Sequence, residues 1–132
     1  MKASVPALIL AFVLVACQNR YPQGENLYRA YCANCHMEDG SGLARLIPPL
    51  AGSDRLTELA NTVCAIAHGA QGGVVVNGIT YSEPMPSFRN LTPVEISNIV
   101  NYLHTSWGNA LPPVNPAQVE AALDDCQEPD LR

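Results

Sequence analysis

The stretch YCANCHMEDGSG, residues 31–42, constrains the fold most, because two residues separate its two cysteines and a histidine follows the second one directly. Cysteines at this spacing serve a redox dithiol, half of a zinc site or a covalent cofactor attachment. A thioredoxin-like dithiol lies next to a β-strand, whereas the residues before Cys32 have a helical pattern. A zinc site needs two further ligands, and no second Cys/His pair occurs in the sequence.

Covalent haem attachment is the interpretation that remains for Cys32, Cys35 and His36. Two thiols add across the two vinyl groups of haem and form thioethers, and the histidine beside the second thiol then ligates the iron. The C-x-x-C-H pattern therefore predicts one covalently bound haem c, attached through Cys32 and Cys35, with His36 as an axial ligand of the iron.

The amino-terminal residues predict export. Residues 1–16 contain one early cation and then an apolar run that is too short to span a bilayer comfortably, which indicates a signal peptide. The sequence LVAC, residues 14–17, resembles the bacterial lipobox, in which the cysteine, here Cys17, carries a diacylglycerol. The alternative is an ordinary signal peptide with a chance cysteine. We expect a lipid-anchored protein on the periplasmic side of a bacterial membrane, where disulfides persist.

The chain divides into four predicted segments. Residues 1–16 form the lipoprotein signal peptide and residues 17–23 the lipidated cysteine with a short tether. Residues 24–108 form one haem-binding domain, and residues 109–132 form a tail whose short helix packs on that domain.

The charge of the chain excludes one class of partner. Seven cations stand against twelve anions, for a net charge of −5 and no basic patch, so nucleic acid is not an expected partner. Several acids cluster in the tail, where they form either a solvated surface or a docking surface for a basic partner. These acids are Glu120, Asp124, Asp125, Glu128 and Asp130.

Hydrophobic spacing predicts an all-α fold with one small hairpin. Apolar residues recur at helical spacing within residues 24–32, 53–69 and 91–108, and again after Pro116. Asn77-Gly78 between β-branched runs is typical of a tight β-hairpin. The predicted helix starts are Ser53 or Asp54 as an N-cap, Thr92 with Pro93 and Glu95 as a capping box, and Asn115 before the last helix.

From about Gly24 to Gly108 the sequence resembles class I cytochrome c. CANCH matches the attachment motif of that family, and PPLAG, residues 48–52, is similar to the segment whose proline carbonyl orients the proximal histidine. YSEPMPSF, residues 81–88, is similar to the segment that supplies the distal ligand. The resemblance implies the cytochrome c fold, with a few helices around one haem c and a hairpin before the distal loop. It assigns the orienting carbonyl to Pro49, the sixth iron ligand to Met85 and support of the pocket to Tyr81.

The resemblance also covers a helix crossing and includes two departures. Gly24 and Tyr28, with Ile99 and Tyr102, are similar to the small and aromatic residues where the first and last helices of the family cross. Met37 stands where a glycine is common in the family. The lysines that surround the haem edge in mitochondrial relatives are absent, so the way those relatives dock cannot be carried over.

The chemistry of the residues supports Met85 as the sixth ligand. A neutral thioether stabilises Fe(II), and prolines on both sides of Met85 suit a rigidly held ligand. His68 and His104 are the alternatives, although each lies near a helix end, where histidine usually interacts with the helix dipole.

These residues predict single-electron transfer by a membrane-anchored, extracytoplasmic monohaem cytochrome c, because an iron with six strong ligands has no open site. We expect no enzymatic activity and no small-molecule substrate. The predicted partners are redox proteins at the membrane, which the protein serves as a shuttle or as the electron-acceptor subunit of a periplasmic dehydrogenase or oxidase chain. The alternative is a haem peroxidase or gas sensor in which Met85 is displaceable.

Two further cysteines, Cys64 and Cys126, remain after one is assigned to lipid and two to haem. Both lie on the apolar faces of their predicted helices. An oxidising compartment favours a disulfide between them, which would fix the tail to the middle helix. The alternative is a pair of buried free thiols that act as small hydrophobic residues.

Overall fold

The computed structural model describes residues 20–126, so the predictions for residues 1–16, for Cys17 and for the last tail acids lie outside the described residues. Within residues 20–126 the fold is all-α with one small antiparallel hairpin, as predicted. The elements are α1 Pro22–Tyr31, α2 Ala33–His36, a 3-10 helix Asp54–Thr57, α3 Leu59–His68, β1 Val74–Val76, β2 Ile79–Tyr81, α4 Pro93–Thr105 and α5 Pro116–Asp124.

Helix α1 begins earlier than its hydrophobic pattern predicts. Its first residue is Pro22, two residues before Gly24 and inside the segment predicted as a tether. Proline is favourable at the first helical position, because its φ is already helical and its missing N–H would have no partner there. The chain between Cys17 and the folded domain is therefore shorter than predicted.

The crossing of α1 and α4 confirms the predicted contact between a small residue and aromatic residues. A Cβ atom at Gly24 would lie 2.8 Å from the Cβ of Tyr102 and nearer still to the carbonyl oxygen of Asn98. Only glycine therefore permits this approach of the two helices. Tyr28 is fully buried beside it, with its ring centroid 5.3 Å from that of Tyr102.

The prediction of one continuous helix over residues 53–69 is wrong. A 3-10 helix comes first, and Glu58 is extended (φ −105°, ψ 102°) before α3 begins at Leu59. Neither candidate N-cap side chain, Ser53 or Asp54, caps a helix. The carboxylate of Asp54 instead accepts a hydrogen bond from the N–H of Asn77 at 2.9 Å. The side-chain oxygen of Asn77 accepts one from the N–H of Asp54 at 3.0 Å in return.

The hairpin forms at the predicted turn. Val76 pairs with Ile79 in an antiparallel register, and Asn77 and Gly78 both have positive φ, as a type I′ turn requires. Because Asn77 also bonds Asp54, the turn is attached to the 3-10 helix.

The predicted capping box is confirmed at the start of α4, and α5 begins directly after Asn115, where the last helix was predicted to start. Thr92 and Glu95 form a reciprocal capping box before α4, and Asn115 and Gln118 form another before α5. Helix α4 ends at Thr105, three residues before the end of the stretch 91–108 that has helical spacing.

The segment between α4 and α5 is bonded back onto α4. The side chain of Asn101 donates to the carbonyl of Val114 at 2.9 Å and accepts from its N–H at 2.8 Å. Nδ1 of His104 donates to the carbonyl of Pro112 at 2.7 Å. Helix α5 buries Val119 and Ala122 against the body of the protein.

In residues 20–126 there is no helix with the length and apolar character needed to cross a membrane.

Candidate functional site

The two cysteines of the attachment motif lie on one short turn of chain. Cys32 follows the last residue of α1, and α2 carries the chain through Cys35 to His36. Cys32 is buried and Cys35 is exposed, and neither is in a disulfide. Both line the same cavity as His36. Burial, and secondarily the neighbouring Cys35, raises the pKa of the Cys32 thiol to about 12, so the unmodified residue is protonated.

His36 is held in a neutral form with a fixed orientation. It is 8% exposed, and its Nδ1 donates to the carbonyl oxygen of Pro48 at 2.9 Å. Burial lowers the pKa of His36, while the bond to Pro48 acts in the opposite direction. A carbonyl only accepts hydrogen bonds, so Nδ1 carries the proton and the Nε2 lone pair is available to a metal ion.

The assignment of the orienting carbonyl to Pro49 is wrong, because the bonded oxygen belongs to Pro48. The loop before it explains the shift. The N–H of Gly42 donates to the carbonyl of His36, and a Cβ at Gly42 would lie 2.6 Å from the oxygen of Pro48. Gly42 therefore brings the Pro48 carbonyl against the motif, and Pro49 contributes to the cavity lining instead.

The loop after the motif makes unusual backbone turns. Met37, Gly40 and Gly42 all have positive φ, at 64°, 67° and 69°. The ring of Trp107 lies against Gly40, at 2.5 Å from where a Cβ would be, and its Nε1 donates to the carbonyl of Glu38 at 3.1 Å. Trp107 therefore fixes the loop from the side of α4.

Met85 reaches the same cavity from the distal segment. Its N–H donates to the carbonyl of Ala70 at 2.8 Å, and its carbonyl accepts from the N–H of Ala70 at 3.0 Å. The absence of a side chain at Gly69 leaves room for the carbonyl of Met85 beside the end of α3. The main chain of Met85 is thus held against α3.

The two alternative ligands differ in position. His68 lines the cavity, and its buried Nδ1 has no hydrogen-bond partner among residues 20–126. His104 is not among the residues that line the cavity, because its Nδ1 is bonded to Pro112 beneath the tail. The structure therefore leaves His68 as the alternative to Met85 and removes His104.

The cavity has a volume of about 410 Å³, which is within the range of about 300–1,000 Å³ that is usual for ligand pockets. Apolar side chains from α3, the hairpin and the 47–50 segment form most of its wall, and Tyr81 is one of its buried lining residues. Haem c is attached through two thiols, and its iron is ligated by an imidazole and a thioether. The residues present fit that cofactor.

A disulfide joins Cys64 in α3 to Cys126 just after α5. Their Cα atoms lie 5.5 Å apart, within the limit of about 7 Å for a disulfide. The predicted pairing is confirmed, and the alternative of two free thiols is wrong.

The positioning role of Asn109 had no signal in the sequence. Its side-chain oxygen accepts from the N–H of Gly52 at 2.8 Å, and its Nδ2 donates to the carbonyls of Leu50 and Leu103. Asn109 therefore connects α4 to the segment behind the proximal histidine. These contacts depend on residues far apart in the chain, so local patterns did not reveal them.

A helical fold around an apolar cavity, with C-x-x-C-H on one wall and a methionine on another, defines a c-type cytochrome. The chain matches the family described as cytochrome c oxidase, cbb3-type, subunit III, over residues 19–103, and it belongs to that family. The class I cytochrome c resemblance is thereby confirmed. Membership establishes one covalently bound haem c as the cofactor, and it does not favour the peroxidase or gas-sensor alternative.

Three relatives illustrate the range of proteins to which the chain is similar. It is 39% identical over 97 residues to the cytochrome c subunit of alcohol dehydrogenase (quinone) from Gluconobacter oxydans (strain 621H), covering 67% of this chain and 19% of the relative. It is 32% identical over 107 residues to the gluconate 2-dehydrogenase cytochrome c subunit of Pantoea cypripedii, covering 76% and 23%. It is 33% identical over 115 residues to a cytochrome c-552 of Thermus thermophilus, covering 83% and 75%.

The chain therefore spans about a fifth of the length of the dehydrogenase subunits that it matches and three quarters of cytochrome c-552.

Proposed function

We propose that the protein carries single electrons through one haem c attached to Cys32 and Cys35, with His36 and Met85 as the axial ligands. The observation that carries this assignment is the cavity that all four residues line. The bound haem supplies a one-electron Fe(III)/Fe(II) couple, and histidine–methionine ligation raises its potential.

The side chains around the cavity prepare it for this cofactor. Pro48 holds the imidazole of His36 in the neutral tautomer that presents Nε2. The bonds to Ala70 fix the main chain of Met85, so its thioether is confined near the cavity. The wall of the cavity is mostly apolar, so few polar groups of the protein have to reorganise when the charge on the cofactor changes.

We propose further that the protein is a carrier rather than an enzyme, and that a lipid on Cys17 tethers it to the periplasmic face of a membrane. Cys17 is five residues before Pro22, where α1 begins. This stretch spans at most roughly 17 Å, so a tethered domain would remain close to the lipid surface. Since two relatives are named as cytochrome c subunits of dehydrogenases, we propose a membrane-associated dehydrogenase as the electron donor.

A redox titration of the holoprotein tests the carrier function. The protein is expressed with haem-attachment machinery and titrated anaerobically while its absorbance is recorded. We expect one reversible transition that fits a single electron, and colour that stays with the protein after acid–acetone extraction. An oxidised form that is high-spin and consumes hydrogen peroxide would instead support the peroxidase alternative.

The lipid anchor has a separate test. Mass spectrometry of protein from its native membrane should find a diacylglycerol adduct on Cys17. The Cys17→Ser variant is the matched control, and we expect it in the soluble periplasmic fraction with its haem spectrum unchanged. Wild-type protein with an unmodified amino terminus at another residue would contradict the anchor.

A further inference from the structure

The distal loop is attached to the carboxyl-terminal part of α3. The N–H of Phe88 donates to the carbonyl of Ile66 at 2.9 Å, and Met85 exchanges two main-chain hydrogen bonds with Ala70. The residues on either side of Met85 are the exposed prolines Pro84 and Pro86, which have no N–H to donate. The position of Met85 therefore depends on where this part of α3 lies.

The same helix carries one end of the disulfide. Cys64 is two residues before Ile66, and it lines the cavity that Met85 also lines. Its partner Cys126 follows α5 and lies 62 positions after Cys64 in the sequence. The bond therefore connects the helix that holds the distal loop to an element from the far end of the described chain.

Helix α5 is packed into the core, so the position of its end of the disulfide is fixed. Val119 is fully buried in the core, and Ala122 is 8% exposed. The segment before α5 is bonded to α4 through Asn101 and His104. A displacement of α3 away from the cavity would therefore have to break the disulfide or pull α5 from its buried site.

We propose that the Cys64–Cys126 disulfide positions Met85, because it clamps α3 to α5 and so holds the end of α3 that carries the distal loop. Cys64 and Cys126 are then positioning residues for the sixth ligand, in addition to stabilising the tail. The inference rests on the proposed ligation of the haem by Met85.

Carbon monoxide is the probe for this role, because it binds ferrous haem only when the sixth position opens. Holoprotein of wild type and of the Cys64→Ala/Cys126→Ala double variant is reduced with ascorbate, which leaves disulfides intact, and mixed with carbon monoxide. We expect carbon monoxide to bind the double variant about tenfold faster. This factor corresponds to a form with Met85 bound that is less stable by about 1.4 kcal/mol relative to the form with an open sixth position. We also expect a weaker sulfur–iron band in its oxidised spectrum.

The Ala30→Gly variant is the control for a general loss of stability. Ala30 is exposed in α1, which does not contain any residue of the distal loop or of α3. Glycine there lowers helix stability by about 1 kcal/mol, and we expect carbon monoxide to bind this variant at the wild-type rate. An equal acceleration in the Ala30→Gly variant, or a wild-type rate in the double variant, would overturn the positioning role.

Wild-type protein gives a second route if the double variant does not fold. A water-soluble phosphine reduces the disulfide, and the phosphine becomes its oxide with the oxygen of water, while the two hydrogens of that water form the two thiols. After the thiols are alkylated, the rate for carbon monoxide should again rise, and an unchanged rate would overturn the proposal. Rapid binding to untreated wild type without a sulfur–iron band would show instead that Met85 is not the ligand, so the proposed ligation would fail first.

Discussion

We predict that the Met37→Gly variant is more stable than the Met37→Ala variant, which is the reverse of the usual order for these two residues. In a helix interior or another ordinary conformation, alanine is more stable than glycine by about 0.5–1 kcal/mol, because glycine loses more conformational entropy on folding. Met37 has φ 64° and ψ 159°, a region that is essentially restricted to glycine and costs other residues about 1–3 kcal/mol.

The structure holds Met37 in this conformation through its carbonyl oxygen. The hydroxyl of Tyr28 donates to that oxygen at 2.5 Å, and the N–H of Gly40 donates to it at 3.1 Å. A substituted residue therefore keeps the same backbone. Both variants lose the same methionine side chain, so their difference isolates the backbone strain of about 2 kcal/mol from packing. Subtraction of the entropy cost of glycine leaves Met37→Gly more stable than Met37→Ala by about 1 kcal/mol.

Guanidinium denaturation of the two holoproteins, followed by far-ultraviolet circular dichroism, measures this difference in the free energy of unfolding. Wild type and the Ala30→Gly variant form the control pair, in which alanine should be the more stable residue by about 1 kcal/mol. If Met37→Ala equals or exceeds Met37→Gly in stability, the backbone at Met37 is not strained and the reasoning is refuted.

Three further predictions concern stability. Gly24→Ala should lower the free energy of unfolding by about 1–2 kcal/mol in denaturant titrations, because contact with Asn98 outweighs the gain in helix propensity; an unchanged midpoint would contradict the close crossing. Asn109→Ala removes the three hydrogen bonds that its side chain makes with main-chain groups and should lower the free energy of unfolding by about 2–3 kcal/mol in thermal melts. Hydrogen bonds from the N–H and hydroxyl of Thr92 hold the pKa of Glu95 below its ordinary 4.5, so its contribution is present above that pH and lost as the pH falls further. Measured against pH, the Glu95→Gln variant should therefore lose less stability in acid than wild type does, and equal acid slopes would refute this.

Features with a local cause could be predicted from the sequence. The attachment motif, the capping box at Thr92 and the turn at Asn77 each depend on a few adjacent residues, and the comparisons or the structure confirm the fold that they imply. The crossing at Gly24 was identified through resemblance, and its steric reason is a contact between α1 and α4.

Features that depend on distant partners could not be predicted. The helix expected over residues 53–69 is broken at Glu58, and Asp54 bonds Asn77, which lies 23 residues away, instead of capping a helix. The prediction that the carbonyl of Pro49 orients His36 is wrong, because the loop at Gly42 brings the carbonyl of Pro48 to the imidazole instead. The proline motif by itself does not specify which carbonyl accepts this hydrogen bond. Sequence patterns do not specify such tertiary contacts.

The absorption spectrum of the oxidised holoprotein in the far red tests the assignment of the axial ligands most directly. Wild type is compared with Met85→Ala and with His68→Ala, since His68 is the other candidate ligand that lines the cavity. We predict a low-spin spectrum with a sulfur–iron charge-transfer band in wild type and in His68→Ala, and loss of that band in Met85→Ala. A band that persists in Met85→Ala, or a high-spin wild type, would contradict ligation by Met85.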